Sequence, residues 1–222
     1  GFFRFLWNAY KRTGDSAYKG GVLVTLDNIC QGGIYDHLGG GFARYSTDEF
    51  WLAPHFEKML YDNAQLIDLM CDVWKETQSG LYQRRISETI TWLTRDMKNG
   101  PSGAETDAYG FAAAFDADSE GVEGKFCVWS EPEIDQILGD ASPSFKQYYD
   151  VTPNGNWDDQ TILNRSDHMD YLGDETENAL TQSRAKLFTE REKRIQPMRD
   201  DKVLADWNGM MIAALAKASV LF

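Results

Sequence analysis

Residues 32–63 read GGIYDHLGGGFARYSTDEFWLAPHFEKMLYDN. The segment packs Asp36, His37, Arg44, Tyr45, Asp48, Glu49, His55, Glu57, Lys58, Tyr61 and Asp62 together, and holds two of the chain's three histidines. Between the histidines lie a glycine triplet, Gly39-Gly40-Gly41, and two rigid aromatics, Phe50 and Trp51. Glycine lets a backbone turn sharply and approach a ligand closely. Proton-trading groups beside stacking aromatics are what a cleft for a polar small molecule needs. The plainer alternative is a polar surface loop with satisfied side chains. A long loop without low-complexity sequence favours a functional one.

The flanks of this loop are helical. Phe2, Phe3, Leu6, Trp7 and Tyr10 fall at helical spacing over 2–12, and Thr13-Gly14-Asp15 breaks the pattern. Ser16 to Gln31 resumes it with Val22, Leu23, Leu26, Ile29 and Cys30, and Gly32-Gly33 reads as the C-cap. After the loop, Pro54 suits a first helical position. A helix is expected from there to about Thr77, striped by Phe56, Met59, Leu60, Leu66, Ile67, Met70 and Trp74. Gly80 interrupts it, and Leu81 to Lys98 is a further amphipathic helix. These pieces make two αα-hairpins.

From Gly100 to Ser130 alternation replaces the helical period. Tyr109–Asp118 and Lys125–Trp129 read as strands joined near Gly121–Gly124, an inserted β-hairpin. Glu131–Leu138 and Ser144–Tyr149 read as short helices, Val151–Tyr171 as irregular, and Glu175–Arg194 as a long charged helix with a solvent face. Asp206–Phe222 is strongly apolar and helical. It carries no stop signal, so the reading is of a truncated domain, all of 1–222 being part of one helical domain whose later helices are missing. The fold class is mainly α, a partial (α/α)6 toroid of helical hairpins.

Composition narrows the partners. A net charge of -13 argues against nucleic acid and anionic membrane, which need a basic face. No apolar run reaches membrane-spanning length. No signal peptide opens the chain, although Gly1 is not an initiator. Cys30, Cys71 and Cys127 are odd in number, far apart and outside any CxxC, which argues against a disulfide framework or structural zinc. Buried thiols in a reducing, cytoplasmic setting are expected. No cofactor and no metal is expected.

Three blocks carry a resemblance: residues 32–66, GGIYDHLGGGFARYSTDEFWLAPHFEKMLYDNAQL; residues 116–129, DADSEGVEGKFCVW; and residues 200–216, DDKVLADWNGMMIAALA. They resemble, in order, the signature blocks of the YyaL-like family, which includes the spermatogenesis-associated thioredoxin-like proteins. The resemblance spans nearly the whole chain. It implies a two-part design: a thioredoxin-like domain, then an (α/α)6 barrel similar to six-hairpin glycosidases and N-acylglucosamine 2-epimerases. Only the first part of that barrel is matched. The thioredoxin-like domain with its Cys-x-x-Cys is absent, so no redox activity carries over.

The candidate catalytic residues are His55, His37, Glu57, Asp62 and Asp118. On a helix beginning at Pro54, His55, Lys58 and Asp62 would share a face. His55 suits general acid/base work because its pKa is near neutrality, with Glu57 or Asp62 orienting it. The alternative makes Glu57 and Lys58 solvated charges and His55 a cap partner. His37 would stand across the same cleft. Two histidines suit epimerisation alpha to a carbonyl; two carboxylates suit glycoside hydrolysis. The candidate substrate-binding residues are Asp36, Arg44, Tyr45, Trp51, Asp116, Glu120, Trp129, Asp206, Trp207 and Asn208. Arg44 offers a planar donor fork for carboxylates or sugar hydroxyls. Asp116, Asp118 and Glu120 alternate and would point one way in a strand, either lining the cavity or bracing the turn. The run DADSEG begins like an EF-hand, but position twelve is Cys127. Asp206 also suits an N-cap, Trp207 and Trp129 stack on a sugar or pack, and His168 has no role. The glycines form neither a P-loop nor a dinucleotide fingerprint.

The expected function is carbohydrate-active, of the epimerase, isomerase or glycosidase type, on a small polar ligand such as a sugar. The alternative is a non-catalytic ligand- or partner-binding module attached to a thioredoxin-like domain. Self-association is expected through Trp207, Met211, Leu215 and Phe222.

Overall fold

The computed structural model describes residues 1–99 and 109–222. It is mainly helical. Helices α1 (Phe2–Thr13) and α2 (Ser16–Gln31) form the first hairpin. Gly14 turns it with a left-handed φ of 75°, and the Asp15 side chain caps α2 by accepting from the Ala17 amide at 2.9 Å. Helices α3 (Leu60–Thr77) and α4 (Gly80–Trp92) form the second. The last turn of α4 widens into a π-turn, Leu93–Met97. Three more helices follow: α5 (Glu131–Leu138), α6 (Ser142–Tyr148) and α7 (Asp174–Arg191). The last, α8 (Ala205–Ser219), lies along α3.

Burial explains these choices. The apolar stripes of α1 to α4 and α8 meet in one core around Leu26, Leu60, Ile67, Met70, Ile86 and Met211. A second core of Trp129, Ile134, Phe145, Tyr149, Leu180 and Leu187 joins α5, α6 and α7. Helix α7 has a solvent face, as its charge suggests, but its inward stripe also carries Glu177, Arg184 and Arg191. Met211 is sealed inside the core, so it is removed from any self-association surface. The exposed large apolar residues of α8 are Met210 and Ile212, with Val220 and Phe222 just beyond.

Two expectations are corrected. Residues 54–59 are not the first turns of α3. They are extended: β2 (Pro54–His55) pairs with β1 (Tyr45–Ser46), and β3 (Lys58–Met59) pairs with a strand at Ala114–Phe115. Phe56 packs instead into a small cluster with Ala53, Ala117 and Ile162. Tertiary pairing outweighs the helical signal, so His55, Lys58 and Asp62 do not share a helix face. The inserted hairpin is also smaller and displaced. Strands β4 (Lys98–Asn99) and β5 (Gly110–Phe111) pair, and β6 (Ala114–Phe115) sits between β3 and β9 (Arg199–Asp200). The true hairpin is β7 (Asp118–Ser119) with β8 (Val122–Glu123). Trp129 bridges to Thr161 rather than to the 109–118 segment. Residues 100–108, the start of the alternating region, lie outside the described residues.

The glycines of the loop are required by close packing. Gly40 and Gly41 both have a φ of 81°, and a Cβ on Gly41 would lie 2.7 Å from the Trp92 ring. Gly41→Ala is therefore expected to cost more than the ~1–2 kcal/mol of a left-handed backbone alone. Denaturant midpoints measure this; an unchanged midpoint would contradict the packing described.

Candidate functional site

The loop between α2 and α3 divides the candidate residues into a buried cluster and an open one. Asp36 anchors the buried cluster. One of its carboxylate oxygens accepts from Arg191 at 2.8 Å and the other from Lys58 at 2.7 Å. The amides of Leu38 and Gly39 donate to it as well. Burial opposes its charge, but Arg191 and Lys58 overcome that and hold the carboxyl well below its ordinary range. Lys58 also lies 5.3 Å over the Trp92 ring, and Arg191 lies 4.9 Å over Phe126. Two small cavities, of about 30 and 40 Å³, meet at this cluster.

His37 is sealed beside it, 5% exposed. Its Nε2–H donates to the Gly32 carbonyl at 3.0 Å, and its Nδ1 accepts from Arg85 at 3.4 Å. This pattern fits the neutral ring. Burial first, and Arg85 second, push its pKa well below the usual value. A base that is protonated when unfolded near pH ~6.5 but not when folded loses stability as pH falls below that value. A proton-NMR titration should show the His37 ring neutral through pH ~6; a normal titration there would overturn this placement.

His55 is elsewhere. Its Nδ1–H donates to Glu123 Oε1 at 2.7 Å, and its Nε2 is 3.6 Å from Glu57. Tyr45 stacks on its ring at 5.2 Å. Arg44 donates to Glu57 at 3.1 Å. Among the described residues the two histidines share no hydrogen-bond partner, and His55 lines neither of the cavities that His37 lines. They are not the opposed pair expected across one cleft.

Arg44, Tyr45, Trp51 and Asp62 do converge. They line one cleft of about 580 Å³ between α1, the loop and the start of α3. Trp51 holds a strained left-handed φ of 62°, while its carbonyl accepts from the Gly33 amide at 2.9 Å. The Asp48 carboxylate fixes this corner by accepting from the amides of Phe50, Leu52 and Ala53. Asp62 has a buried oxygen, Oδ2, with no hydrogen-bond partner. Desolvation raises its pKa to about 6, against the pull of Arg44 and with a push from Glu57. Trp207 is not among the residues that line the cleft; it packs edge-on to Tyr61 at 4.7 Å.

The other candidates are placed apart. Asp116 lines the cavity beside Asp36 and accepts from the Asp118 amide at 3.1 Å. Asp118 is exposed on β7 opposite Glu123, and Glu120 sits in the turn with a φ of 54°, paired with Lys125 at 2.7 Å. The three carboxylates do not line one cavity: Asp116 accepts a backbone amide, Glu120 pairs across the turn with Lys125, and Asp118 faces solvent. Trp129 is buried under Arg194, which stacks at 4.0 Å, so no ligand reaches its face. Asn208 clamps strand β5, accepting from Phe111 N at 2.8 Å and donating to Phe111 O at 3.1 Å. Asp206 is exposed inside the first turn of α8 and is not its N-cap, which is Leu204. His168 packs against the edge of Tyr148.

Two long-range partners of candidate residues are invisible to local pattern. Glu123 reaches His55 from 68 residues away, and Arg191 reaches Asp36 from 155. Among the described residues no cluster of His, Cys, Asp and Glu suits a metal, and no helix is long and apolar enough to cross a membrane. Burial pushes the Cys30 thiol up to about 12 and Cys71 to about 11, which makes both poor nucleophiles.

Against known proteins, the chain is 32% identical to rat spermatogenesis-associated protein 20 across 96% of its own length. It is 30% identical to the human protein across 95%, and 30% identical to the uncharacterized protein B0495.5 of Caenorhabditis elegans across 87%. The chain is homologous to the spermatogenesis-associated protein 20 proteins. It spans about 30% of the length of these relatives. No family model matches it.

Proposed function

We propose that the cleft lined by Arg44, Tyr45, Trp51 and Asp62 binds a small carbohydrate and that the protein hydrolyses it by carboxylate acid/base chemistry. The two helical hairpins would belong to an α/α toroid, with this cleft among its loops. The observation that carries the proposal is Asp62, whose buried oxygen has no partner in this cleft, near an Arg44 that is paired with the carboxylate of Glu57. Asp62 is raised to about 6 by desolvation, so it keeps its proton into mildly acidic solution where an ordinary aspartate is ionised, while Glu57 receives the Arg44 guanidinium at 3.1 Å. Pairs of carboxyls whose environments differ in this way divide the roles of acid and base. Asp62 would give its proton to the departing glycosidic oxygen as the bond to the anomeric carbon breaks. Glu57 would take the proton of the water that attacks that carbon. Arg44 and Tyr45 would hold hydroxyls, and Trp51 would pack on the ring.

The geometry disfavours the two-histidine route to epimerisation. His37 is neutral but walled in, and His55 is held between Glu57 and Glu123. The test is a screen of the full-length protein against aryl glycosides and disaccharides, with Asp62→Asn, Glu57→Gln and His37→Gln in parallel. Turnover lost in the first two and kept in the third supports the reading. Saturable sugar binding with no turnover by any of them would favour a binding module instead.

A further inference from the structure

We infer that Asp48 is the positioning residue of the Asp62 cleft: its carboxylate locks the Trp51 backbone so that an open indole face meets the ring of a cyclic sugar. The inference rests on the carbohydrate reading of that cleft. It adds what the ligand must offer, a flat run of C–H bonds rather than hydroxyls alone.

Trp51 differs from the chain's other tryptophans, of which there are seven in all. Each of the other six has an aromatic ring or a cation 4.0–5.5 Å from its indole ring; among the described residues Trp51 has none. Its side chain is half-buried, packs against the main core and lines the cleft. An aromatic face without a partner, on the wall of a cleft, suits either a cation or the C–H face of a sugar ring. Arg44 lines the same cleft and opposes a cation there. Apolar Ile29, Ile34 and Leu66 line it beside polar Ser46 and Gln65, a mixture that suits a ring with hydroxyls at its edge.

The backbone shows how that face is held. A φ of 62° suits glycine, and a bulky residue keeps it only where its surroundings enforce it. Asp48 does so. Its Oδ1 accepts from the Phe50 and Leu52 amides at 2.7 and 3.1 Å, and its Oδ2 from the Ala53 amide at 2.6 Å. One carboxylate therefore holds the amides before and after Trp51. Thr47 closes the loop by donating its amide and its hydroxyl to the Ala53 carbonyl, each at 2.8 Å. The end of α2 leaves room for this corner: a Cβ on Gly32 would collide with the Trp51 carbonyl oxygen, and one on Gly33 with that of Leu52. Burial opposes the charge of Asp48, but the Ala53, Leu52 and Phe50 amides overcome it and hold the carboxyl below its ordinary range. Both oxygens are occupied by backbone, so Asp48 acts through Trp51 and not on the ligand. Strain kept up against a residue's own preference marks a side chain that is put to use.

The experiment labels the full-length protein with fluorotryptophan and titrates it with methyl β-glucoside, cellobiose, sorbitol and choline, read by fluorine NMR. Trp51→Gly, which accepts the left-handed backbone freely, assigns the Trp51 signal. Both ring sugars should shift that signal saturably. Sorbitol, with similar hydroxyls on an open chain, should bind at least ~10-fold more weakly. In Asp48→Asn the Trp51 signal of the free protein should move or broaden while the other fluorine signals hold. Its affinity for methyl β-glucoside should fall at least ~5-fold. Far-UV circular dichroism checks that both variants fold. The inference is overturned by a Trp51 signal that neither sugar moves, or by sorbitol or choline binding as tightly as methyl β-glucoside. An unchanged Trp51 signal or an unchanged affinity in Asp48→Asn also overturns it. Turnover of an aryl glycoside that survives in both variants overturns it too, and leaves the hydrolase reading standing. Ring-sugar binding at Trp51 without turnover sustains the inference and removes hydrolysis.

Discussion

Replacing Asp36 with alanine is expected to cost about 3–5 kcal/mol of stability, the usual penalty for stranding buried partners of a removed charge. The carboxylate is shared by Arg191, which is 3% exposed, and by Lys58, and both cations lose their counter-charge together. Among the described residues Arg191 has no other carboxylate within ion-pair distance, and its Nε is without a partner. Asp36→Asn keeps the shape and should cost less, since it retains acceptors on one side. The pH dependence has a definite sign. The folded pKa of Asp36 lies well below the unfolded one, so its ionisation stabilises the fold above pH ~3.9. That contribution falls away as pH drops below this value. The gap between wild type and Asp36→Asn should therefore be widest at neutral pH and shrink in acid. Urea denaturation at several pH values measures it. A cost below ~1 kcal/mol for the alanine variant would mean that the cluster is solvated and is not the anchor of the loop.

Much of this architecture follows from local pattern. Helices α1, α2, α5 and most of α4 stand where apolar spacing and capping residues put them. Ser130 and Glu133 even form the reciprocal capping box that a serine three residues before a glutamate suggests. Pattern failed where long-range pairing decided the outcome. Pro54 followed by Phe56 and Met59 looks like a helix start, but Lys58–Met59 finds a partner in Ala114–Phe115 and stays extended. The same ladder pulled Ala114–Phe115 away from the large hairpin that alternation suggested. At the candidate site, Arg44, Tyr45, Trp51 and Asp62 converge because one loop and the helix it feeds bring near neighbours together. The partners of Asp36 and His55 come from α7 and β8, and no spacing rule reaches that far. His37 illustrates a further limit: whether a histidine meets solvent or a wall of arginine depends on tertiary burial.

Asp62→Asn is expected to lower turnover of the proposed glycoside reaction by ~10²–10⁴-fold, the usual contribution of a positioned acid. With its pKa near 6, wild-type kcat/KM should fall as pH rises through that value, because the protonated form is the donor. The same substitution should raise stability rather than lower it. Asp62 has a folded pKa above the ~3.9 of the unfolded chain, so ionising it costs folding free energy. That cost is absent below pH ~4, grows between there and about 6, and is complete above. Because the side chain is only partly buried, the expected gain for Asp62→Asn at pH ~8 is about 1 kcal/mol after discounting for solvent screening. It should vanish below pH ~4. A purely structural aspartate would behave oppositely, losing stability when its charge is removed. An inactive variant that is more stable at high pH, and equal to wild type in acid, identifies a carboxyl kept in an unfavourable setting for its chemistry. Loss of stability at pH ~8, or turnover retained by Asp62→Asn, would remove Asp62 from the acid role.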